Sequence, residues 1–419
     1  MRLKPDEVNF LGLEVKTSNY TTGDNPLYIL DDSQQSMLNE LRGKTKVASF
    51  TRTSANNYSK KGKKVVLSSW DYKTNKNMGI EEYCKKYNFP IDDITSYKLV
   101  SHTGTPFYNI VFKTISEKIK EDLTEEFISN AIKQFIVPAK LRNPINSDDF
   151  GRQSFDRLIF TDAHIGMDTN KDGNALYPVK WGEQELMARM EEMVDRTRLC
   201  KTSRMLIVDD LGDLLDGWDA QTVRKGHHLP QNMDNKKAFD VALKFKVEMA
   251  QMLAEEYDFI QFNNICEDNH SGAFGYIVNS AFKTIIEAQY ENRIVVRNHE
   301  AFINHYTVFN NHFVITHGKD SKNLKFGFKP HLDPKQIEKI DQYMKYNSLY
   351  DGKDIEFSKG DSHQLLLDMA SSDDFDYMNY LAFSPSSEWV QTNFKKGRSG
   401  FVLQHFNNGN RVINPVFFK

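Results

Sequence analysis

The sequence predicts an α/β fold, and three observations carry that prediction. From about residue 155 onward, apolar runs typical of strands alternate with helical patterns. Short polar clusters follow the ends of several of these runs, where an α/β layer places its functional groups. Hydrophobic residues make up 39% of the chain and charged residues 26%, as in an ordinary globular protein.

The elements of this part follow in order along the chain. Strands are predicted over 157–161, 205–208, 259–262, 313–316 and 354–357, because each run contains Ile with Phe or Val. Helices are predicted over 123–135, 183–199 and 236–256. The segments 400–406 and 411–418 predict a final hairpin.

The N-terminal part has a different pattern. A short helix is predicted over 79–88, followed by strands over 94–100 and 107–112. A helix followed by a hairpin is typical of a winged-helix DNA-binding unit, and equally of many small α+β units. Residues 137–149 have the composition of a linker, so we predict a smaller N-terminal α+β domain over 1–148 and a catalytic domain over 149–419.

The stretch 42–64 has the clearest local charge bias in the sequence. It contains eight basic residues and no acidic one: Arg42, Lys44, Lys46, Arg52, Lys60, Lys61, Lys63 and Lys64. This composition predicts a basic arm that tracks phosphates, or alternatively a solvated linker.

Five polar clusters stand at the ends of apolar runs. In chain order they are Asp162-Ala-His164, Gly212-Asp213-Leu-Leu-Asp216, Asn269-His270, His317-Gly318 and Gly360-Asp361-Ser-His363. Together they supply enough carboxylate, imidazole and amide ligands for two divalent metal ions. A two-metal site of this kind favours a metal-dependent phosphoesterase.

These clusters resemble the calcineurin-like metallophosphoesterase superfamily, whose signatures run D-x-H, G-D-x-x-D, G-N-H-D/E, a histidine, and G-H-x-H. The first two signatures are unchanged, whereas Asp268 and Ser271 replace the Gly and the acid of the third. In the fifth, Asp361 stands where the first His usually lies. The resemblance covers roughly residues 155–365 and implies a four-layer α/β/β/α sandwich.

The resemblance also implies two divalent cations, with Mn²⁺ favoured and Mg²⁺ as the alternative. The first ion would take Asp162, His164 and His363. The second would take Asn269, His317 and, by position, Asp361. Asp213 would bridge both ions. A carboxylate at 361 makes that site harder, which favours Mn²⁺ or Mg²⁺; the opposing interpretation is that Asp361 faces away and the second ion is weak or absent.

Two further residues take catalytic roles by the same resemblance. His270 would act as a general acid or stabilise developing charge, since an imidazole exchanges its proton near neutral pH. Asp216 would support the ligands from behind. Ser271, in place of the acid, is expected to alter how His270 is oriented.

Candidate substrate-binding residues are Lys319, Lys322, Arg224 and His228. Downstream of His317, lysines alternate with Phe326 and Phe328, a pattern that suits a phosphate backbone and stacked bases. Lys359 is a further candidate for this face. A surface with solvated lysines is the alternative interpretation.

The region is similar, less specifically, to SbcD-like DNA repair exonucleases, which are often phage-encoded. That similarity implies a DNA exonuclease, with a homodimer or a partner ATPase as further expectations. Two other functions stay open: hydrolysis of small phosphoesters such as cyclic nucleotides or phosphomonoesters, and DNA binding by a degenerate site.

The composition of the chain limits where the protein is expected to be located. No apolar run is long enough for a transmembrane helix, and the N-terminus lacks the apolar core of a signal peptide. The three cysteines are widely spaced, which favours free thiols in a reducing compartment. We therefore expect no membrane partner and a cytoplasmic location, in the host cytoplasm if the protein is phage-encoded.

Overall fold

The computed structural model describes 59–60, 63–64, 67–71, 74–87, 89, 91–100, 106–113, 122–136, 153–171, 173–223, 227–319, 324–326, 328–393 and 397–419. The chain divides into two compact units, one of residues 1–89 and 96–111 and one of residues 90–95 and 112–419. Most of the basic stretch 42–64 and the whole predicted linker 137–149 lie outside the described residues. The predicted division at 148 stays a prediction.

The elements of the N-terminal part are short. They are β1 (Ser59–Lys60), β2 (Lys63–Lys64), β3 (Trp70–Asp71), β4 (Lys76–Asn77), α1 (Ile80–Tyr87), β5 (Ile94–Val100) and β6 (Phe107–Phe112). Strands β5 and β6 pair with each other, so the predicted helix and two strands are confirmed. Tyr83 of α1 packs against Tyr108 of β6, with ring centroids 5.0 Å apart. Whether this unit acts as a winged helix stays a prediction.

The second unit carries the larger elements. They are α2 (Glu125–Phe135), β7 (Ser154–Phe160), α3 (Glu183–Leu199), β8 (Met205–Asp210), α4 (Asn235–Ala254), β9 (Phe259–Ile265), α5 (Ala273–Tyr290), β10 (Ile294–His299), β11 (Asn304–Val308), β12 (Asn311–Thr316), α6 (Pro334–Tyr346), β13 (Asp354–Lys359), β14 (Leu366–Asp368), β15 (Asp376–Asn379), α7 (Glu388–Asn393), β16 (Gly400–Asn407) and β17 (Asn410–Phe417).

Two sheets organise these strands. In the described chain, a six-stranded sheet has the order β10-β9-β8-β7-β16-β17, and a five-stranded sheet has the order β11-β12-β13-β15-β14. Strands β7 to β10 run parallel in the first sheet, and β12, β13 and β15 run parallel in the second. The carboxyl ends of parallel neighbours meet at one edge of a sheet, which gathers the residues that follow them.

The two sheets pack face to face between layers of helices. Phe155 and Ile207 of the first sheet share an apolar cluster with Phe313 and Ile315 of the second. The outer face of the first sheet packs on α3, α4 and α5 through a large apolar core. The outer face of the second packs on α6 through Ile340 and Met344. The predicted four-layer α/β/β/α architecture is therefore confirmed.

Local sequence accounts for several element ends. Asp333 caps α6 by accepting from the backbone N–H of Gln336, and Pro334 occupies the first helical position, where its missing N–H costs nothing. Asn408 and Gly409 both adopt positive φ between β16 and β17, which is the two-residue turn that matches the twist of a hairpin. No helix in the described residues is long and apolar enough to cross a membrane.

Buried charges join the two sheets. Arg157 of β7 lies 2.5 Å from Asp209 of β8 and 2.5 Å from Glu356 of β13. Tyr306 donates to Asp209, and Tyr380 and the Gln404 amide donate to Glu356. We call these six residues the inter-sheet network; its carboxylates are paired with a cation and hydrogen-bonded, as buried charges require.

Candidate metal centre

The five polar clusters converge at the carboxyl ends of five strands. Asp162 and His164 follow β7, Asp213 and Asp216 follow β8, and Asn269 and His270 follow β9. His317 follows β12, and Asp361 and His363 follow β13. Hence both sheets contribute side chains to a single site between them. We call the seven predicted ligands the ligand cluster: Asp162, His164, Asp213, Asn269, His317, Asp361 and His363.

The backbone of this cluster is unusual. Asp162, His164, Asp213, Asp361 and His363 all have positive φ, between 44° and 63°. Non-glycine residues rarely adopt this region, and such conformations concentrate at functional sites because the surrounding structure has to hold them. The sharp turns aim consecutive side chains back over the ends of the strands.

Two glycines allow the close approach of these loops. Gly212 has a φ of 99°, and a Cβ there would lie 3.1 Å from the ring of His317. A Cβ at Gly360 would lie 2.3 Å from Thr161 Oγ1. Packing therefore requires both glycines that precede Asp213 and Asp361, and at Gly212 the positive φ favours glycine as well.

The first group of ligand atoms comes from Asp162, His164 and His363. His363 Nε2 lies 3.2 Å from Asp162 Oδ1 and 3.3 Å from His164 Nε2. Ligand atoms held about 2.1 Å from one ion at right angles to each other are about 3.0 Å apart. These separations therefore suit a single small divalent cation.

The second group comes from Asp162, Asp213 and His317. His317 Nε2 lies 3.0 Å from Asp213 Oδ2 and 3.9 Å from Asp361 Oδ1. Asp361 thus faces the group, which weakens the interpretation that it points away. Asp162 belongs to both groups, and Asp213 also falls within a third group with His164 and His270. Each of these two carboxylates is placed to contact two ions.

Asp216 lies behind the two histidines. Its Oδ1 is 2.9 Å from His164 Nδ1 and 3.3 Å from His270 Nδ1. A carboxylate on one ring nitrogen fixes the tautomer and leaves the other nitrogen for an ion. His317 is held in the same way, because its Nδ1 donates to the Leu211 carbonyl at 3.0 Å. Both His164 and His317 therefore present Nε2 to the centre.

The fit to cations rests on unpaired buried atoms. Among the described residues, two buried oxygens of the ligand cluster, Asn269 Oδ1 and Asp361 Oδ2, have no hydrogen-bond partner. Three further buried atoms, Asp162 Oδ1, His270 Nδ1 and His317 Nε2, make no aligned hydrogen bond, although each lies within 3.3 Å of an ionisable neighbour. Buried polar atoms are nearly always paired, so this combination at one site requires an explanation. Oxygen and imidazole ligands of this kind match Mn²⁺ or Mg²⁺ sites, and the residues fit such ions.

The electrostatics of the site favour positive charge. Burial disfavours the imidazolium of His317, yet the Asp213 carboxylate outweighs it and raises the pKa of His317 to about 10. The pKa of His270 rises to about 9 against the same burial, because Asp213 and Asp216 lie beside it. Burial would raise the pKa of Asp162, but the charge of His363 lowers it to about 2. The carboxylates therefore create a field that attracts cations.

Asp268 has a role that sequence reasoning missed. Its carboxylate accepts from the backbone N–H groups of Asp213 at 3.1 Å, Ser271 at 2.6 Å and Gly272 at 3.0 Å. Burial and the neighbouring Asp213 raise its pKa to about 7, while these donors lower it. Asp268 thus fixes the turn that carries Asp213 and the start of α5. Its position beside the Asn-His pair was the available signal.

Ser271 also ties the loops together. Its hydroxyl accepts from the Leu215 N–H and donates to the Leu215 carbonyl, each at 3.0 Å. The segment that carries Asp213 and Asp216 is therefore fastened to the segment that carries His270. The structure shows Ser271 acting on the loop backbone.

The predicted substrate residues fare differently. Lys319 is half-buried two residues after His317, and His228 is exposed and bridges to Gln221. The Val223 N–H donates to the His270 carbonyl, so this loop lies beside the site. Arg224 and Lys322 lie outside the described residues.

Two sequence expectations about this face are wrong. Lys359 is fully buried and donates to Ser362 and Asn379, so it holds the loop of Asp361 instead of facing substrate. Burial lowers its pKa to about 8. Phe326 packs in the core under α6, which leaves Phe328 as the aromatic of that run near the site.

Comparisons with known proteins give low similarity. No protein-family model matches the sequence, and no curated protein matches it. Similar solved structures include Vps29 from Entamoeba histolytica complexed with Zn²⁺, with 11% identity over 63% of this chain and 99% of that chain and a TM-score of 0.29. A predicted phosphoesterase from Streptococcus pneumoniae is 9% identical over 63% and 90%, with a TM-score of 0.27. The calcineurin-like phosphoesterase YfkN from Bacillus subtilis is 10% identical over 64% and 90%, with a TM-score of 0.26. Scores this low carry no argument about function, so the case for the site rests on its ligand geometry.

Proposed function

We propose that this chain is a metal-dependent phosphoesterase of the calcineurin-like type that hydrolyses phosphodiester bonds in nucleic acid, with DNA as the favoured polymer. The observation that carries the proposal is the convergence of buried carboxylate, imidazole and amide ligands from five strand ends. A site that collects this many anionic and imidazole ligands gains by holding two cations.

In this proposal the ligand cluster would hold two ions. Asp162, His164 and His363 would hold one cation, and Asp213, Asn269, His317 and Asp361 would hold the other. Asp162 and Asp213 would each reach both. Divalent ions bound here would neutralise charge on the phosphate and make a water nucleophilic near neutral pH. Mn²⁺ is favoured over softer metals because carboxylate oxygens dominate the second group.

His270 is placed to move a proton. Its Nδ1 faces Asp216 and its Nε2 lies 3.8 Å from Asp213 Oδ2. The neighbouring Asp213 and Asp216 raise the pKa of His270, which favours an imidazole that carries a proton. Before transfer, the positive charge of the imidazolium stabilises the pentavalent phosphate. The proton can then be given to the leaving oxygen.

A polymeric substrate is supported by basic residues in the sequence. Lys319 lies two residues after His317 and is half-buried. The sequence has further positive charges at Lys322, at Arg224 and in the basic stretch 42–64. Lysines that contact phosphates give affinity without sequence preference. The finer proposal is a DNA exonuclease similar to the SbcD-like group, cytoplasmic and acting as a homodimer or with a partner ATPase.

The test compares substrates. End-labelled single- and double-stranded DNA and a chromogenic phosphodiester are incubated with Mn²⁺ or Mg²⁺, each with and without a chelator. Metal-dependent loss of DNA label supports the nuclease, and the product ladder gives polarity. Cleavage of the small ester alone assigns the protein to the small-phosphoester class. DNA binding without any turnover means a degenerate site.

A further inference from the structure

Two aromatic side chains extend outward from the metal centre, and we call them the aromatic shelf: Phe328 and Trp389. The Phe328 ring lies edge to face against the ring of His363, with centroids 5.3 Å apart. Trp389 lies edge to face against Phe328 at 6.1 Å. The shelf therefore begins one ring beyond a predicted metal ligand.

The aromatic shelf is at least partly exposed to solvent, whereas most large aromatic side chains of this unit are buried. Trp389 is 58% exposed, whereas Trp181 and Trp218 are buried in the core. Phe328 is half-buried, although Phe326 two residues earlier is buried. An exposed tryptophan beside a candidate site offers a flat apolar surface on which a planar ligand group can pack.

The element that carries Trp389 is fastened to the loop that follows β7. The Glu388 N–H donates to the Thr169 carbonyl, and the Gln391 side chain accepts from the Tyr177 N–H and donates to its carbonyl. That loop continues directly from His164. Trp389 is thus held in a defined position relative to the ligand cluster, as a recognition surface requires.

We propose that the aromatic shelf stacks a nucleobase of the substrate, so that the enzyme selects phosphoesters that carry a base over sugar phosphates. This inference rests on the proposed function and specifies its substrate class. In a nucleotide, one sugar separates the phosphate from the base, and the shelf begins beside His363, a predicted ligand of the ions that would hold the phosphate. The two rings are at 83° to each other, so a base stacked on one meets the other edge to face.

Charge beside the shelf agrees with a strand of nucleic acid. Lys329 follows Phe328 and is exposed, so it can contact the phosphate of a neighbouring nucleotide. Stacking on aromatic side chains accepts any base, because every base has a π-face. The shelf therefore predicts preference for single-stranded or frayed ends, whose bases are free to stack, without sequence specificity.

The first experiment measures binding by tryptophan fluorescence. The full-length protein is titrated with adenosine 5′-monophosphate or with ribose 5-phosphate, in Mg²⁺ and in chelator. We expect quenching by the nucleotide, little quenching by the sugar phosphate, and loss of the quench in Trp389→Leu. The control is Tyr346→Leu, which removes an aromatic side chain that is 88% exposed on α6.

The second experiment measures discrimination during turnover. KM is determined for an oligothymidylate and for its abasic counterpart. We expect the ratio of the abasic KM to the base-bearing KM to fall about 10-fold in Trp389→Leu and in Phe328→Leu, since one base stack is lost. Tyr346→Leu should leave the ratio at the wild-type value.

The two experiments separate the two proposals. Hydrolysis with an unchanged KM ratio in both shelf variants would overturn the shelf and leave the phosphoesterase standing. Base-dependent quenching without hydrolysis of any substrate would support the shelf and overturn the catalytic proposal. Equal quenching by nucleotide and sugar phosphate, or none by either, would overturn the shelf.

Discussion

Two groups of buried charges in this protein differ in whether the chain itself supplies the opposite charge. In the inter-sheet network, Arg157 neutralises Asp209 and Glu356, and hydroxyl and amide groups complete their hydrogen bonds. In the ligand cluster, carboxylates and imidazoles crowd together without a lysine or arginine among them, and Asn269 Oδ1 and Asp361 Oδ2 have no hydrogen-bond partner among the described residues. Both groups are held by the same two sheets.

The difference separates a structural role from a functional one. Charges that the chain pairs internally stabilise the packing of the sheets. Removing one partner leaves the others buried without a counter-charge. Carboxylates and imidazoles that converge on backbone held at positive φ, with oxygens left without partners, are arranged for a cation that the chain does not supply. The predictions below contrast the two groups, from the largest expected effect to the smallest.

Asp213→Asn should lower metal-dependent phosphodiester hydrolysis by at least about 1,000-fold, because in the proposed two-ion site this one carboxylate would serve both ions. The loss of stability should be small beside the loss of activity, since Asn keeps the side-chain shape and can still accept from the backbone N–H of His270. Initial rates and thermal unfolding are measured together, with Asp195→Asn on the surface of α3 as the matched control. Near-normal activity in Asp213→Asn would end the two-ion account.

Arg157→Met should have the opposite profile. The change leaves the buried carboxylates of Asp209 and Glu356 without their cation, and should lower the free energy of unfolding by about 3–5 kcal/mol. Urea unfolding measures this cost. Arg411→Met is the matched control, because Arg411 is partly exposed beside the same Glu356 and should cost about 1 kcal/mol or less. Equal losses for the two variants would mean that Arg157 does not hold the network together.

His270→Gln should slow hydrolysis about 100-fold and leave the number of bound ions unchanged, because His270 donates a proton and is outside the seven ligands. Rates and metal content are measured on the same preparation, beside His331→Gln on the surface. Loss of a bound ion in His270→Gln would assign the imidazole to the ligands instead.

Asp268→Asn should have the smallest effect. The amide keeps the shape but turns one acceptor into a donor that faces a backbone N–H, so the turn of Asp213 is held less firmly. We expect about 10-fold weaker metal affinity, as for other residues that orient ligands. Calorimetric titration with Mn²⁺ measures the change, with Asp258→Asn as a surface control. Unchanged affinity would limit Asp268 to a role in folding.

Sequence reasoning located the strands and the site because each signal is local. Apolar runs mark β7, β8, β9, β12 and β13, and polar residues follow each one. Helix α5 was not predicted, since it is apolar over much of its surface and shows little periodic contrast. The face-to-face packing of the two sheets was predicted from the family resemblance and not from the pattern of apolar residues.

Contacts between distant segments account for the failures. Lys359 resembles a surface cation in sequence, and only the sandwich shows that Ser362 and Asn379 bury it. Trp389 lies far along the chain from His363, so nothing local places it beside the centre. The pairing of Arg157 with Glu356 likewise spans both sheets.

The central claim is that the ligand cluster binds two divalent cations. The most direct measurement is the metal content of the dialysed protein after loading with Mn²⁺, determined by elemental analysis and by calorimetric titration. The account predicts two ions per wild-type chain and fewer in Asp213→Asn, with Arg411→Met unchanged. A wild-type chain that binds no ion, or an Asp213→Asn chain that binds as many, would contradict it.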